Sequence, residues 1–266
     1  MNRIDSAIDE LQSMEQLAKR NQWVCAIHPL VKLFLTVFYI VLAVSFSKYQ
    51  LAGLLCMLVY PLFVFQMAEL SFFGALKRLR IVLPLVCLVG IFNPFFDREI
   101  VMWAGPVGIS GGVLSMLTLM LKAVFTVLAS YLLIATTAME ELCHALSLLH
   151  VPKIFIVELM LIYRYLTVLL KEAGRVTDAY RLRAPGQKGI AFKAWGPLLG
   201  QLLLRSYDRA EGIYQSMCLR GFKGQFYSAR KGGFRRADFV YLLAFTTVLS
   251  VLRFLPVAEI VGRLVL

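Results

Sequence analysis

Residues 113–138 read VLSMLTLMLKAVFTVLASYLLIATTA. One charge, Lys122, interrupts a run long enough to cross a hydrocarbon layer of about 30 Å. This stretch reads as a long membrane span, the fourth, with Lys122 well inside its apolar run. Working outward, the chain repeats the pattern. Leu30–Phe46 reads as a first span, preceded by Trp23, which suits the membrane interface, and by Pro29, which suits a first helical turn. A tight turn at Ser47–Gln50 leads to a second span, Leu51–Met67, with a kink expected at Pro61. Ala68–Arg80 reads as a basic loop carrying Lys77, Arg78 and Arg80. Ile81–Phe96 reads as a third span, interrupted by Pro84 and by Asn93-Pro94. Asp97–Gly112 reads as an irregular, slightly acidic loop. A last span is expected over Phe239–Val257, containing Arg253.

Composition agrees. Of 266 residues, 59% are hydrophobic and only 17% charged, and the mean hydropathy of +0.73 is too high for a soluble domain. The fold class expected is an all-α polytopic membrane protein with about five transmembrane helices and long cytoplasmic amphipathic helices between the fourth and last. The divisions are 1–138, 139–236 and 237–266. Net charge is +12, and between Lys171 and Arg236 there are 14 Lys or Arg against 4 Asp or Glu. A basic block can signal nucleic acid, but between spans the positive-inside rule explains it, so no nucleic acid partner is expected. The rule places the N-terminus and this block in the cytoplasm, the loop at Asp97–Glu99 outside, and the C-terminus outside. Ile154–Leu170 then cannot cross alone. With Glu158 and Arg164 inside it, it reads as a helix lying along the membrane face. Ala191–Leu204 is short for a sixth span. Residues 1–22 read as an amphipathic helix on Ile4, Ile8 and Leu11, with no cleavable signal sequence. The scattered cysteines (Cys25, Cys56, Cys87, Cys143, Cys218) read as small hydrophobes without a disulfide framework.

Catalytic motifs are missing from the sequence. It has no G-x-x-x-x-G-K-S/T, so no phosphate-binding loop is available for ATP. His144 and His150 stand six apart, poor spacing for shared metal ligation on one helix face, and no metal site is expected. The aspartates are too dispersed for a metal-dependent lipid-headgroup transferase. Lys122 is either a snorkelling side chain or a structural contact to a neighbouring helix or subunit.

Two basic segments in the second half match each other. Ala173–Ala184 aligns with Ala210–Gly221, so that Leu182-Arg183-Ala184 falls on Leu219-Arg220-Gly221. Val176, Tyr180 and Arg183 stand at i, i+4 and i+7, as do Ile213, Met217 and Arg220. Each is an apolar helical stripe ending in an arginine and then a stop, Pro185-Gly186 or Gly221. Such a stripe either docks into a partner or lies solvated against lipid headgroups.

With Ile27-His28-Pro29-Leu30-Val31-Lys32-Leu33, Thr136-Thr137-Ala138-Met139-Glu140-Glu141-Leu142, Leu149-His150-Val151-Pro152 and Tyr163-Arg164-Tyr165-Leu166 also in place, the chain resembles the transmembrane T component of energy-coupling factor (ECF) transporters, of the cobalt-associated CbiQ type. The two Leu-Arg-small tripeptides resemble that family's paired Ala-Arg-Gly-like coupling motifs. Both arginines match, and the first tripeptide lacks the glycine. The resemblance implies a non-enzymatic scaffold in the cell membrane of a prokaryote. It would bind two ATPase subunits and an S component of the CbiM kind, with or without a small CbiN-like subunit, to import cobalt or nickel for cobalamin biosynthesis. ATP-Mg would be hydrolysed by the partners, and this chain would bind no cofactor. Arg183 and Arg220 would anchor the ATPases, with Val176, Tyr180, Ile213 and Met217 filling their grooves and Tyr163-Arg164 bracing the region. The alternatives are a T component shared among vitamin S components, and an integral membrane enzyme.

Overall fold

The computed structural model describes residues 3–18, 23–48, 50–70, 72–96, 100–104, 107–187, 189–224, 226 and 233–254. Their regular secondary structure is helical apart from one short two-stranded hairpin, and the chain is an all-α membrane protein. They fall into two compact units. One comprises residues 17–138 and 232–266, the other residues 1–16 and 139–231.

The first unit is built around the apolar stretch that begins at Val113. Gly111–Thr136 is one helix, α8 in chain order, long and apolar enough to cross a membrane. The preceding elements are α1 (Arg3–Ala18), α2 (Trp23–Ala26), α3 (Pro29–Val44), α4 (Leu51–Cys56), α5 (Val59–Met67), α6 (Phe72–Gly90) and α7 (Asn93–Phe96). Helices α3 to α7 all touch α8. Phe125, Ala129, Leu132 and Ala135 of α8 are almost wholly buried. The last helix, Arg236–Phe254, is also long and apolar enough to cross a membrane, whereas α3 and the α4–α5 pair are apolar but shorter. It packs on α3 through Tyr241, Leu242 and Phe245 against Ile27, Val31 and Leu35.

Proline explains where helices break. The kink expected at Pro61 lies one turn earlier, at Met57–Leu58, and Pro61 itself sits within the first turn of α5. A proline nitrogen cannot donate to the carbonyl four residues back, here that of Met57, and its ring crowds that carbonyl. The Tyr39 hydroxyl donates to the freed oxygen at 3.1 Å. The same rule ends α6. Pro94 cannot bond to Gly90, and Gly90 is the last residue of α6. Pro84, by contrast, stays inside α6, which continues past it. Two expectations are corrected here. The basic loop at Ala68–Arg80 is helical from Phe72, because its Leu, Ala, Lys and Arg residues are good helix formers and no proline stops them before Pro84. The irregular segment before α8 contains a hairpin, Ile100–Ala104 pairing antiparallel with Val107–Ser110. Asp97, Glu99 and the end of the last span beyond Phe254 lie outside the described residues.

Polar groups inside this unit cap helix ends. Lys32 is 6% exposed, and its ammonium donates to Cys25 O at 3.0 Å and Thr136 O at 2.7 Å. His28 caps α3, its Nδ1 accepting from Leu30 N. Asp238 is buried and accepts from His28 N at 2.9 Å and from Arg235 N at 2.8 Å, the acidic half of a capping box reused to hold a second strand of chain. Lys122 donates to Val44 O at 2.9 Å and to Phe46 O, while Arg253 donates to Ser45 O at 3.0 Å and stacks 4.4 Å over the Phe46 ring. Two cations thus meet the negative end of the α3 dipole. The reading of Lys122 as a contact to a neighbouring helix has a geometry here.

Candidate coupling surface

The second unit contains α1 and three later helices: α9 (Met139–Leu148), α10 (Lys153–Arg183) and α11 (Phe192–Leu219). Glu140 and Glu141 occupy the first turn of α9, at the positive end of its dipole. Cys143 and Ala145 are buried as α9 packs on α10. Burial, and then Glu140, pushes the Cys143 thiol above its ordinary value, which fits a small hydrophobe rather than a reactive group.

The α9–α10 corner is a Schellman-type cap. Val151 N bonds Leu146 O and His150 N bonds Ser147 O, with His150 at φ +62°. Glycine is the usual residue there, because a Cβ is strained in that conformation. His150→Gly is therefore expected to raise stability by about 0.5–1 kcal/mol. Thermal unfolding of the purified protein checks this, and a fall would reveal a compensating contact of the imidazole.

Helix α10 is far longer than the segment the sequence marked out. Ile154–Leu170 and Ala173–Arg183 form one continuous helix, and Ala191–Leu204 likewise runs on into the second coupling segment as α11. No breaker separates the halves of either, so they propagate as single helices. Their ends differ by one residue relative to the arginine. Arg183 is the last residue of α10, with Ala184 as its C-cap, whereas Arg220 is itself the C-cap of α11. The α11 end is a Schellman cap. Gly221 is at φ +80°, and Phe222 N bonds Met217 O. Ala184, which stands where α11 has this glycine, does not adopt positive φ, and the turn is made two residues later by Gly186 at φ +90°.

The helices are fastened to each other. Glu172 of α10 binds Arg205 of α11 and also Arg175 at 3.4 Å. The Tyr180 hydroxyl donates to Gln187 Oε1 at 2.7 Å and accepts from Ala191 N at 3.3 Å, pinning the connecting loop. The hydrogen bond from Arg205 holds the Glu172 carboxyl below the usual carboxylate range, with further charge from Arg175 and Arg209. A depressed folded pKa means that this link is complete above the unfolded value of about 4.3 and is lost as pH falls through the lower folded value. Hydrogen exchange of the amides around Glu172 and Arg205 is expected to be insensitive to pH above that value after correction for intrinsic rates, and to rise below it. In Glu172→Gln the rise disappears. The same rise in Glu172→Gln would assign the effect to another group.

The predicted site residues separate into two sets. Val176, Tyr180, Ile213 and Met217 are half-buried within this unit. Leu182 and Leu219 stand 84% and 90% exposed at the helix ends, beside the exposed Arg183 and Arg220. The outward surface is thus a Leu-Arg pair at each helix end, and Tyr180 is engaged in holding its own loop. Between α10 and α11 lies an open groove of about 750 Å³. Its floor is Leu161, Tyr165, Ile213, Met217, Phe222 and Phe226, the last two rings 5.2 Å apart. Arg164, Arg209, Arg220 and Lys223 line it, and no carboxylate among the described residues does. Sequence reading passed over Arg209, Lys223 and Phe222. The signal was present, since a residue following a capping glycine commonly packs back on the helix. Tyr163 and Arg164 also line a second cavity of about 440 Å³ with Leu11, Gln12 and Glu15 of α1 and Glu140 of α9. Among the described residues no cluster of three or more His, Cys, Asp or Glu could hold a metal ion.

The described residues thus form a helical membrane protein with two helices that each end in an exposed arginine. Residues 20–230 match the CbiQ family, described as cobalt transport protein, and the chain belongs to that family. It is 32% identical over 91 residues to the nickel permease LarQ of Lactiplantibacillus plantarum, covering 34% of this chain and 33% of that protein. It is 25% identical over 143 residues to an uncharacterized protein of Methanocaldococcus jannaschii, MJ1571, covering 53% of this chain and 49% of that one. The chain thus matches half or less of the length of these relatives.

Proposed function

We propose that this chain is the transmembrane coupling subunit of an ECF-type importer, converting ATP-driven motion of two partner ATPases into movement of a membrane-embedded S component. The observation that carries the reading is the pair of exposed Leu-Arg helix ends, Leu182-Arg183 and Leu219-Arg220, on two helices locked together by Glu172–Arg205. Two similar sites suit two partners, and an exposed guanidinium suits charge-assisted hydrogen bonds to a partner's carboxylates. Gly221 makes the turn behind Arg220, and Gly186, two residues past the cap Ala184, makes the one behind Arg183.

The sequence carries no phosphate-binding loop, so the energy would come from ATP-Mg hydrolysed by the partners. The basic block would face the cytoplasm, with the N-terminus inside and the C-terminus outside. The cargo is a divalent transition-metal ion, cobalt or nickel. Family membership and the similarity to a nickel permease support this, and the S component would select the ion. Coexpression with the ATPase and S subunits of the same transport system tests the reading. A stable complex giving ATP-dependent accumulation of radioactive cobalt or nickel is the expected result. Accumulation that needs no ATPase subunit would refute it.

A further inference from the structure

We propose that the groove between α10 and α11 binds an anionic phospholipid, with its phosphate on Arg164, Arg209 and Lys223 and its chains on the apolar floor. The groove is a cavity of about 750 Å³ with two kinds of lining. Four cations and no described carboxylate select an anion. Leu161, Tyr165, Phe222 and Phe226 exclude a purely hydrated one, because free phosphate would leave that apolar surface wet. The ligand is therefore an amphiphile with a negative head.

The same two helices say which amphiphile is at hand. Ile154, Phe155 and Ile162 of α10, and Trp195, Leu199 and Tyr207 of α11, are exposed. Tryptophan and tyrosine among aliphatic residues, on helices that also carry a basic excess, are the composition of a membrane-interface surface. Lipid is thus favoured over an acidic peptide. The proposal goes beyond the coupling role and does not depend on it. It gives the basic lining of the α10–α11 pair a ligand within the chain's own surroundings.

The test uses the full chain, purified in detergent and stripped of native lipid. Dihexanoyl-phosphatidylglycerol, dihexanoyl-phosphatidylcholine and inorganic phosphate are titrated separately and binding is followed by native mass spectrometry. The glycerol lipid is expected to bind as a discrete adduct, the choline lipid and phosphate far more weakly. Arg209→Gln with Lys223→Gln is expected to weaken the glycerol lipid by roughly 30-fold, taking about 1 kcal/mol per basic residue. Leu161→Ser is expected to weaken it while leaving its salt dependence unchanged. Equal binding of the two lipids, wild-type affinity in the Gln variant, or phosphate competing at the same concentration as lipid would overturn the proposal. Arg220 is left intact, and ATPase co-purification is scored in parallel, so the coupling reading stands or falls separately.

Discussion

Replacing both arginines, Arg183→Glu with Arg220→Glu, is expected to abolish co-purification of the ATPase subunits and ATP-driven metal uptake. Each guanidinium in a charge-assisted hydrogen bond contributes about 1.5–3 kcal/mol. Losing two amounts to roughly 3–6 kcal/mol, or about a hundred-fold to ten-thousand-fold in affinity, before repulsion from the new carboxylates is added. Both side chains are exposed, so the variant should fold and insert normally, with unchanged thermal unfolding. Each single variant should lose part of the affinity. Leu182 and Leu219, exposed beside the arginines, would supply the apolar part of each proposed contact. Intact assembly and uptake in the double variant would sink the coupling reading.

The second large effect is structural and falls in the other unit. Lys32→Met keeps the apolar stem and removes an ammonium that donates to Cys25 O and Thr136 O. Thr136 is the last residue of α8, so its carbonyl is one of the four with no partner inside the helix. Two buried acceptors would lose a donor at about 1–3 kcal/mol each, and a total loss of about 2–4 kcal/mol allows for relaxation. The midpoint of thermal unfolding should fall by about 5–15 °C. An unchanged midpoint would show that the two carbonyls find other donors.

Much of the architecture could be read from apolar run length. Span four appears almost as expected, because nothing in residues 113–136 interrupts it. Two of the boundaries were misplaced by the range over which proline acts. Pro61 and Pro94 break the helix four residues upstream, at the carbonyls they fail to bond, so a boundary placed at the proline itself falls late. Charge misled in the opposite direction. Lys77, Arg78 and Arg80 suggested a loop, yet lysine and arginine favour a helix as well as leucine does.

The two arginine-tipped helix ends were legible in the sequence, because their spacing and the following stops are local signals. The role of the apolar neighbours was not. A helical stripe says which residues share a face and leaves open whether that face meets a partner or the chain itself. Ile213 and Met217 line the open groove between α10 and α11, and the Tyr180 hydroxyl bonds the connecting loop. The Glu172–Arg205 pair spans 33 residues and follows from the helix pairing alone.

The central claim is that each of the two helix ends touches an ATPase. A photo-reactive amino acid placed at Leu182 or at Leu219 in the assembled complex tests it most directly. The account predicts that both positions cross-link to an ATPase subunit, and that Arg183→Glu with Arg220→Glu suppresses both. Cross-links to the S component or to lipid alone, from either position, would contradict it.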